Sequence, residues 1–157
     1  MKNRIWLFVL ALVIVSCKKG LTVSPLEETY VSNNYTKQEV DISMRDGVKL
    51  HTTIYTPKDT SKKYPILMQR TPYSSMPYGA GKFRTKIGPN IHLMEEGNII
   101  VYQDVRGRWL SEGSYENMRA YIPNKKTDKD VDESSDTYDT IEWLINNVAH
   151  NNGKVGI

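Results

Sequence analysis

The closing stretch, residues 131–157, reads VDESSDTYDTIEWLINNVAHNNGKVGI, and its pattern decides the fold class. Tyr138, Ile141, Leu144, Ile145 and Val148 recur at three- and four-residue steps, which lays an apolar stripe along a helix. Asp136, Asp139 and Glu142 load its first turns with negative charge, where the unpaired amide groups of a helix start favour it. Asn151, Asn152 and Gly153 read as the helix stop, since Gly accepts the left-handed conformation of a helix end. Lys154 to Ile157 then resumes as strand. A helix feeding a strand is half of a βαβ unit.

Working back from there, the period changes to two. Val40, Ile42 and Met44 alternate, Asp46-Gly47 turns the chain, and Val48, Leu50, Thr52 and Ile54 alternate again before Pro57, which predicts a hairpin. Ile66-Leu67-Met68 is a short continuous apolar run of the kind a strand buried on both faces shows. Thr71-Pro72-Tyr73-Ser74-Ser75 ends it, Pro removing a ladder donor. Residues 76–89 form a surface loop rich in Gly, Pro and Lys, residues 91–96 a short helix stopped by Gly97, and residues 98–103 a second buried strand, β-branched and uncharged. Residues 114–130 are irregular. The order is hairpin, strand, helix, strand, long loop, helix, strand, the front half of an α/β sheet. So few strands leave a raw edge.

The first 16 residues have a basic start, Lys2 and Arg4, and an apolar run from Ile5 to Val15. That run is too short to cross a hydrocarbon core of about 30 Å as a permanent helix, so it reads as a secretory signal. Its end, Ile14-Val15-Ser16-Cys17, resembles a bacterial lipoprotein lipobox, which makes Cys17 the lipidation site. The alternative is a small apolar residue near a signal end. One thiol excludes an intramolecular disulfide framework. Several acyl chains on Cys17 would anchor the protein stably to the bacterial cell envelope, on its periplasmic or surface face. Residues 17–36 are then a tether or an ordered N-terminal arm, and residues 37–157 the domain. The formal charge is +3; without Lys2 and Arg4, 19 basic residues face 18 acidic ones, which argues for neither a nucleic-acid nor an acidic partner.

Nucleophilic hydrolysis is usually written Gly-x-Ser-x-Gly on a tight strand-to-helix turn, and no such pentapeptide is present. His51, His92 and His150 read as surface or packing residues. Asp128, Asp130 and Asp132 have calcium-loop spacing, but Glu133 stands where the loop needs Gly and Asp139 where it needs Glu, so a solvated loop leading into a helix is expected and no metal. Gly79-Ala80-Gly81-Lys82 lacks the form of a phosphate cradle, and no cofactor is expected. Two stretches could carry chemistry. Arg70-Thr71-Pro72-Tyr73 lies past a buried strand, where α/β sheets place ligand crevices, and the Tyr73 hydroxyl could donate to an oxyanion or merely cap an edge. Asp104 and Arg106 follow the next strand and are expected to form an internal ion pair bracing the turn, with a catalytic role as the alternative.

Four blocks, taken together, resemble a known group. Met44-Arg45-Asp46-Gly47-Val48-Lys49-Leu50; Arg70-Thr71-Pro72-Tyr73; Asp104-Val105-Arg106-Gly107-Arg108 with Ser111-Glu112-Gly113; and Val131-Asp132-Glu133-Ser134 through Asp139-Thr140-Ile141-Glu142-Trp143-Leu144 to Asn152-Gly153-Lys154-Val155-Gly156 are similar to the N-terminal part of α-amino-acid ester hydrolases. These belong with cocaine esterases, glutaryl acylases and X-prolyl dipeptidyl peptidases in one serine-hydrolase superfamily. The resemblance implies the N-terminal part of an α/β-hydrolase sheet, cut before the nucleophile elbow, with the serine, acid and histidine of the triad beyond Ile157. It implies Tyr73 as a side-chain oxyanion donor, and a small-molecule ester, amide or peptide substrate cleaved through an acyl-enzyme. A chain so cut should be inactive and fold poorly alone. The competing expectation is a small non-catalytic lipoprotein that binds a ligand or envelope partner.

Overall fold

The computed structural model describes residues 25–157; the signal, the lipobox and Cys17 lie outside the described residues. Helix α1 (Pro25–Asn34) leads into the hairpin of β1 (Tyr35–Ser43) and β2 (Lys49–Pro57). Strand β3 (Tyr64–Thr71), helix α2 (Ile91–Glu95), strand β4 (Ile99–Asp104), helix α3 (Glu133–Asn147) and strand β5 (Asn151–Gly156) follow. One five-stranded sheet results, in the order β1-β2-β4-β3-β5. β1 and β2 are antiparallel, β2 and β4 are antiparallel, and β4, β3 and β5 run parallel.

The hairpin turns where the Asp46-Gly47 pair predicts it. Gly47 has a φ of +87°, and its N–H donates to the Met44 carbonyl at 2.9 Å while the Met44 N–H donates to Val48 at 2.8 Å. The continuous apolar runs of β3 and β4 are explained by burial on both faces. Ile66, Met68, Ile99 and Val101 point to one side and pack with Ile42, Met44, Leu50 and Ile54 under Leu144 of α3 and Val148 just past its end. Tyr55, Ile100 and Tyr102 point to the other and pack with Val31 and Tyr35, Ile87, and Met94 of α2. Each such aliphatic side chain contributes roughly 1.5–3 kcal/mol relative to exposure. Residues 25–34 show no apolar period, yet Val31 is fully buried and the Tyr35 hydroxyl donates to the Met94 carbonyl at 2.5 Å, so tertiary contacts hold α1 in place.

Two expectations for the closing stretch are corrected. Tyr138 does not belong to the buried face: it is 59% exposed, with the Arg45 guanidinium 5.9 Å from its ring centre. The buried stripe runs through Ser135, Asp136, Thr140 and Leu144 instead, because the first half of α3 packs on polar side chains at the strand ends. Nor do Asn151 to Gly153 end the helix in their backbone, since α3 stops at Asn147 and these residues are already β5. The turn is made by His150, at φ +59°, whose carbonyl accepts from the Tyr64 N–H at 2.8 Å. Asn151 still serves the helix end with its side chain, which donates to the carbonyls of Ile145 at 2.9 Å and Val148 at 2.7 Å. Its amide does the capping while its backbone starts the strand.

The acids before α3 are structural as well. Asp132 is the N-cap: its carboxylate accepts from the Ser135 N–H at 2.9 Å, and the Ser135 hydroxyl accepts from the Asp132 N–H at 2.8 Å, closing a capping box. It also accepts from the Ile122 N–H at 2.8 Å and lies 2.5 Å from Lys125 Nζ. Burial alone would raise this carboxyl, but the Lys125 ammonium and the three further donors, Ile122 N–H, Ser134 hydroxyl and Ser135 N–H, outweigh it and hold it far below the ordinary carboxylate range. A carboxylate depressed on folding stabilises above its unfolded value of about 3.9 and loses that contribution as pH falls toward its folded value. Asp132→Asn should therefore lower the melting temperature at pH 7, with the gap to wild type narrowing below about pH 4, measured by circular dichroism. A gap that does not vary with pH would exclude the charge as the cause.

Candidate functional site

Because β4, β3 and β5 are parallel, their carboxyl ends share one edge of the sheet. Thr71 is level with Asp104 across β3 and β4, and Leu67 with Gly156 across β3 and β5. The segments leaving that edge are residues 72–78 after β3 and residues 105–113 after β4. Ligand crevices of parallel sheets form there.

Beneath the edge lies a charged bracket. Arg106, nearly fully buried, donates from Nη1 and Nη2 to Asp46 in the hairpin turn, at 2.7 and 3.1 Å, and from Nε and Nη2 to Asp136 in α3, at 3.0 and 2.7 Å. Burial opposes its charge, but both carboxylates outweigh burial and raise its pKa further. The expected Asp104–Arg106 pair is thus not formed. Side chains two apart in the turn leave in different directions, and Arg106 finds two carboxylates whose planes suit its fork. Arg70 braces α3 in parallel: it donates to Gln103 Oε1 at 2.8 Å, to the Glu133 carbonyl and carboxylate at 3.0 and 2.9 Å, and to Thr137 Oγ1 at 2.8 Å. The turn between is tight. Gly107, at φ +70°, would bring a Cβ to 2.1 Å from the Tyr115 backbone nitrogen, so no other residue fits unstrained.

Asp104 faces the other way, toward the segment after β3. It is fully buried, and its carboxylate accepts from the Ser75 N–H at 2.6 Å and the Tyr78 hydroxyl at 2.8 Å. Tyr73 stands in that segment. Its ring is 85% exposed while its backbone N–H donates to Thr71 Oγ1 at 3.0 Å, and the preceding Pro72 carbonyl accepts from Arg108 Nε at 3.1 Å and Trp109 Nε1 at 2.9 Å. Among the described residues the phenol has no hydrogen-bond partner, and its backbone is fixed. Of the histidines, His51 is a packing residue of β2, its Nδ1 2.9 Å from Asp41 and its ring edge-on to Tyr78; His92 and His150 are exposed. Tyr78, Arg108 and Trp109 escape a reading of the sequence because no period or motif ties them to Tyr73; in the structure the buried Asp104 leads to Tyr78, and the Pro72 carbonyl to Arg108 and Trp109. Of the acids of the calcium-like run, Asp130 caps the 126–127 turn, Asp132 caps α3, Glu133 holds Arg70, Asp136 holds Arg106 and Asp139 holds Arg45.

The chain is a mixed α/β sheet and belongs to the X-Pro dipeptidyl-peptidase (S15) family, whose model matches residues 46–157. Its relatives include the cocaine esterase of Rhodococcus sp. (strain MB1 Bresler), 31% identical over 128 residues, a match covering 81% of this chain and 20% of that one. An aminopeptidase from a marine sediment Thaumarchaeota archaeon has a similar structure, with a TM-score of 0.66, 38% identity, and coverage of 78% of this chain and 20% of that one. An α-amino acid ester hydrolase superposes with a TM-score of 0.63 at 37% identity, covering 90% of this chain and 23% of that one. The family expected from the four sequence blocks is therefore the right one. The chain spans about a fifth of the length of these relatives.

The bracket generates a prediction. Arg106→Ala leaves two carboxylates without their shared cation and should cost roughly 3–5 kcal/mol in urea denaturation, and Arg106→Lys should recover only part of it, having no planar fork. A loss under about 1 kcal/mol for Arg106→Ala would remove the bracket from the stability of the fold.

Proposed function

We propose that this chain is the N-terminal part of an exported serine hydrolase that cleaves esters or amides through an acyl-enzyme. The substrates in view are α-amino-acid esters, acyl amides and X-Pro peptides. The observation that carries the reading is Tyr73: a phenol without a partner among the described residues, on a braced backbone, just past the level where β3 and β4 end side by side and toward which β5 runs. In register with β3, a residue a few positions past Gly156 would rise to the level of Tyr73. A serine there, activated by a histidine and acid supplied by later sequence, would attack the substrate carbonyl, and the Tyr73 hydroxyl would donate to the oxygen that gains charge. Since such a donor acts on the transition state more than on the bound substrate, its loss falls on kcat. The relatives' greater length supports the supply of the triad from outside residues 1–157, and on this reading residues 1–157 alone are inactive.

Tyr73→Phe in the protein expressed from its whole reading frame should lower kcat for ester hydrolysis by about 100- to 1,000-fold with KM little changed. Unaltered kcat would remove Tyr73 from the chemistry. For the envelope location, support comes from the apolar run and the lipobox-like Ile14-Val15-Ser16-Cys17. Cys17→Ser should shift that protein from the detergent phase to the aqueous phase in Triton X-114 partition; partition unchanged by the substitution would exclude acylation at Cys17.

A further inference from the structure

We propose that Asp104 is a positioning residue that, together with Tyr78, sets the placement of the Tyr73 phenol; the proposal rests on the reading of Tyr73 as oxyanion donor. Asp104 is an unusual buried acid. It is fully buried at the end of β4, and among the described residues it forms no ion pair, the neighbouring Arg106 being committed to Asp46 and Asp136. A buried carboxylate without a cation is costly unless hydrogen bonds replace its water. Here those bonds come from the segment that carries Tyr73: Ser75 N–H at 2.6 Å to Oδ1 and Tyr78 hydroxyl at 2.8 Å to Oδ2, with the Leu110 N–H more distant at 3.5 Å.

What they hold is strained. Ser74, directly after Tyr73, has a φ of +102°, a region that L side chains rarely adopt and that costs on the order of 1–3 kcal/mol. Such a conformation persists only where its neighbours dictate it. The Asp104 bond fixes the peptide after Ser74, and the Tyr78 hydroxyl lies 2.9 Å from Ser74 Oγ, which also accepts from the Met76 N–H at 3.1 Å. Burial, with a further push from the Asp104 carboxylate outweighing the opposing Ser74 contact, raises the Tyr78 phenol above its ordinary value, so it stays a donor at neutral pH. On the other side of Tyr73, Thr71 Oγ1, Arg108 and Trp109 fix the preceding peptide. Both flanks of Tyr73 are thus pinned, one by β3 and the β4 turn, the other by Asp104. Displacing a reacting or stabilising group by about 1 Å costs on the order of 100-fold in rate.

The test is a mutant cycle in the protein expressed from its whole reading frame, with p-nitrophenyl ester hydrolysis as readout. Asp104→Asn and the milder Tyr78→Phe are each made alone and in a Tyr73→Phe background. Alone, Tyr78→Phe should lower kcat about 10-fold and Asp104→Asn about 100-fold, with KM little changed. In the Tyr73→Phe background neither should cost more than about 2-fold, because the group they position is gone. Full losses that persist on top of a defective Tyr73→Phe enzyme would overturn the positioning role and leave Tyr73 as donor. A Tyr73→Phe enzyme with wild-type kcat would instead overturn the reading of Tyr73, and the clamp with it. Should Asp104→Asn not fold, Tyr78→Phe completes the same cycle.

Discussion

The Arg106 guanidinium, shared between Asp46 and Asp136, is the contact on which the rest of the described structure depends. It joins three segments distant in sequence: the hairpin turn between β1 and β2, the turn after β4, and the first turn of α3. Arg45–Asp139 links the hairpin turn to α3 and Lys49–Glu112 links β2 to the turn after β4, while Arg106 bonds all three segments at once. Asp104 leaves the same turn on the opposite side, toward the segment after β3. The two residues divide the labour of that turn: Arg106 ties it down to the sheet and α3, and Asp104 reaches up to the surface that Tyr73 occupies.

Much of the fold was legible because it rests on local rules. Alternation on either side of Asp46-Gly47 specifies the hairpin, and short uncharged β-branched runs specify β3 and β4 even though burial on both faces erases their period. What was not legible depends on distant partners. Helix α1 has no apolar stripe and is held by Val31 and Tyr35 meeting residues from α2 and β4. The polar stripe Ser135, Asp136 and Thr140 on α3 looks like a solvent face until Arg70, Gln103 and Arg106 are set against it. Asn151 misleads for a different reason, since its side chain performs the capping its sequence context predicts while its backbone has already entered β5.

The candidate site divides in the same way. The position of Tyr73 past a strand end could be read directly, but the choice between an edge-capping tyrosine and an oxyanion donor came from the family resemblance, and family membership now stands on residues 46–157. The pairing of Asp104 with Arg106 was the natural inference from two opposite charges in one turn, and it failed because side-chain direction, not sequence distance, decides partners. In its place stands an acid that spends its hydrogen bonds on the Ser75 N–H and the Tyr78 hydroxyl of the Tyr73 segment. The order of residues 72–78 is therefore imposed in part from β4, through Asp104.

On the proposed reading, this edge of the sheet stabilises an oxyanion through Tyr73. The most direct measurement is a crystal structure of the protein expressed from its whole reading frame, covalently inhibited by an aryl phosphonate whose phosphoryl oxygen mimics that charge. The Tyr73 hydroxyl is expected about 2.7–3.1 Å from that oxygen, with Ser75 N–H and the Tyr78 hydroxyl still on Asp104. A Tyr73 hydroxyl beyond hydrogen-bonding distance of the phosphoryl oxygen, its place taken by another donor, would contradict it.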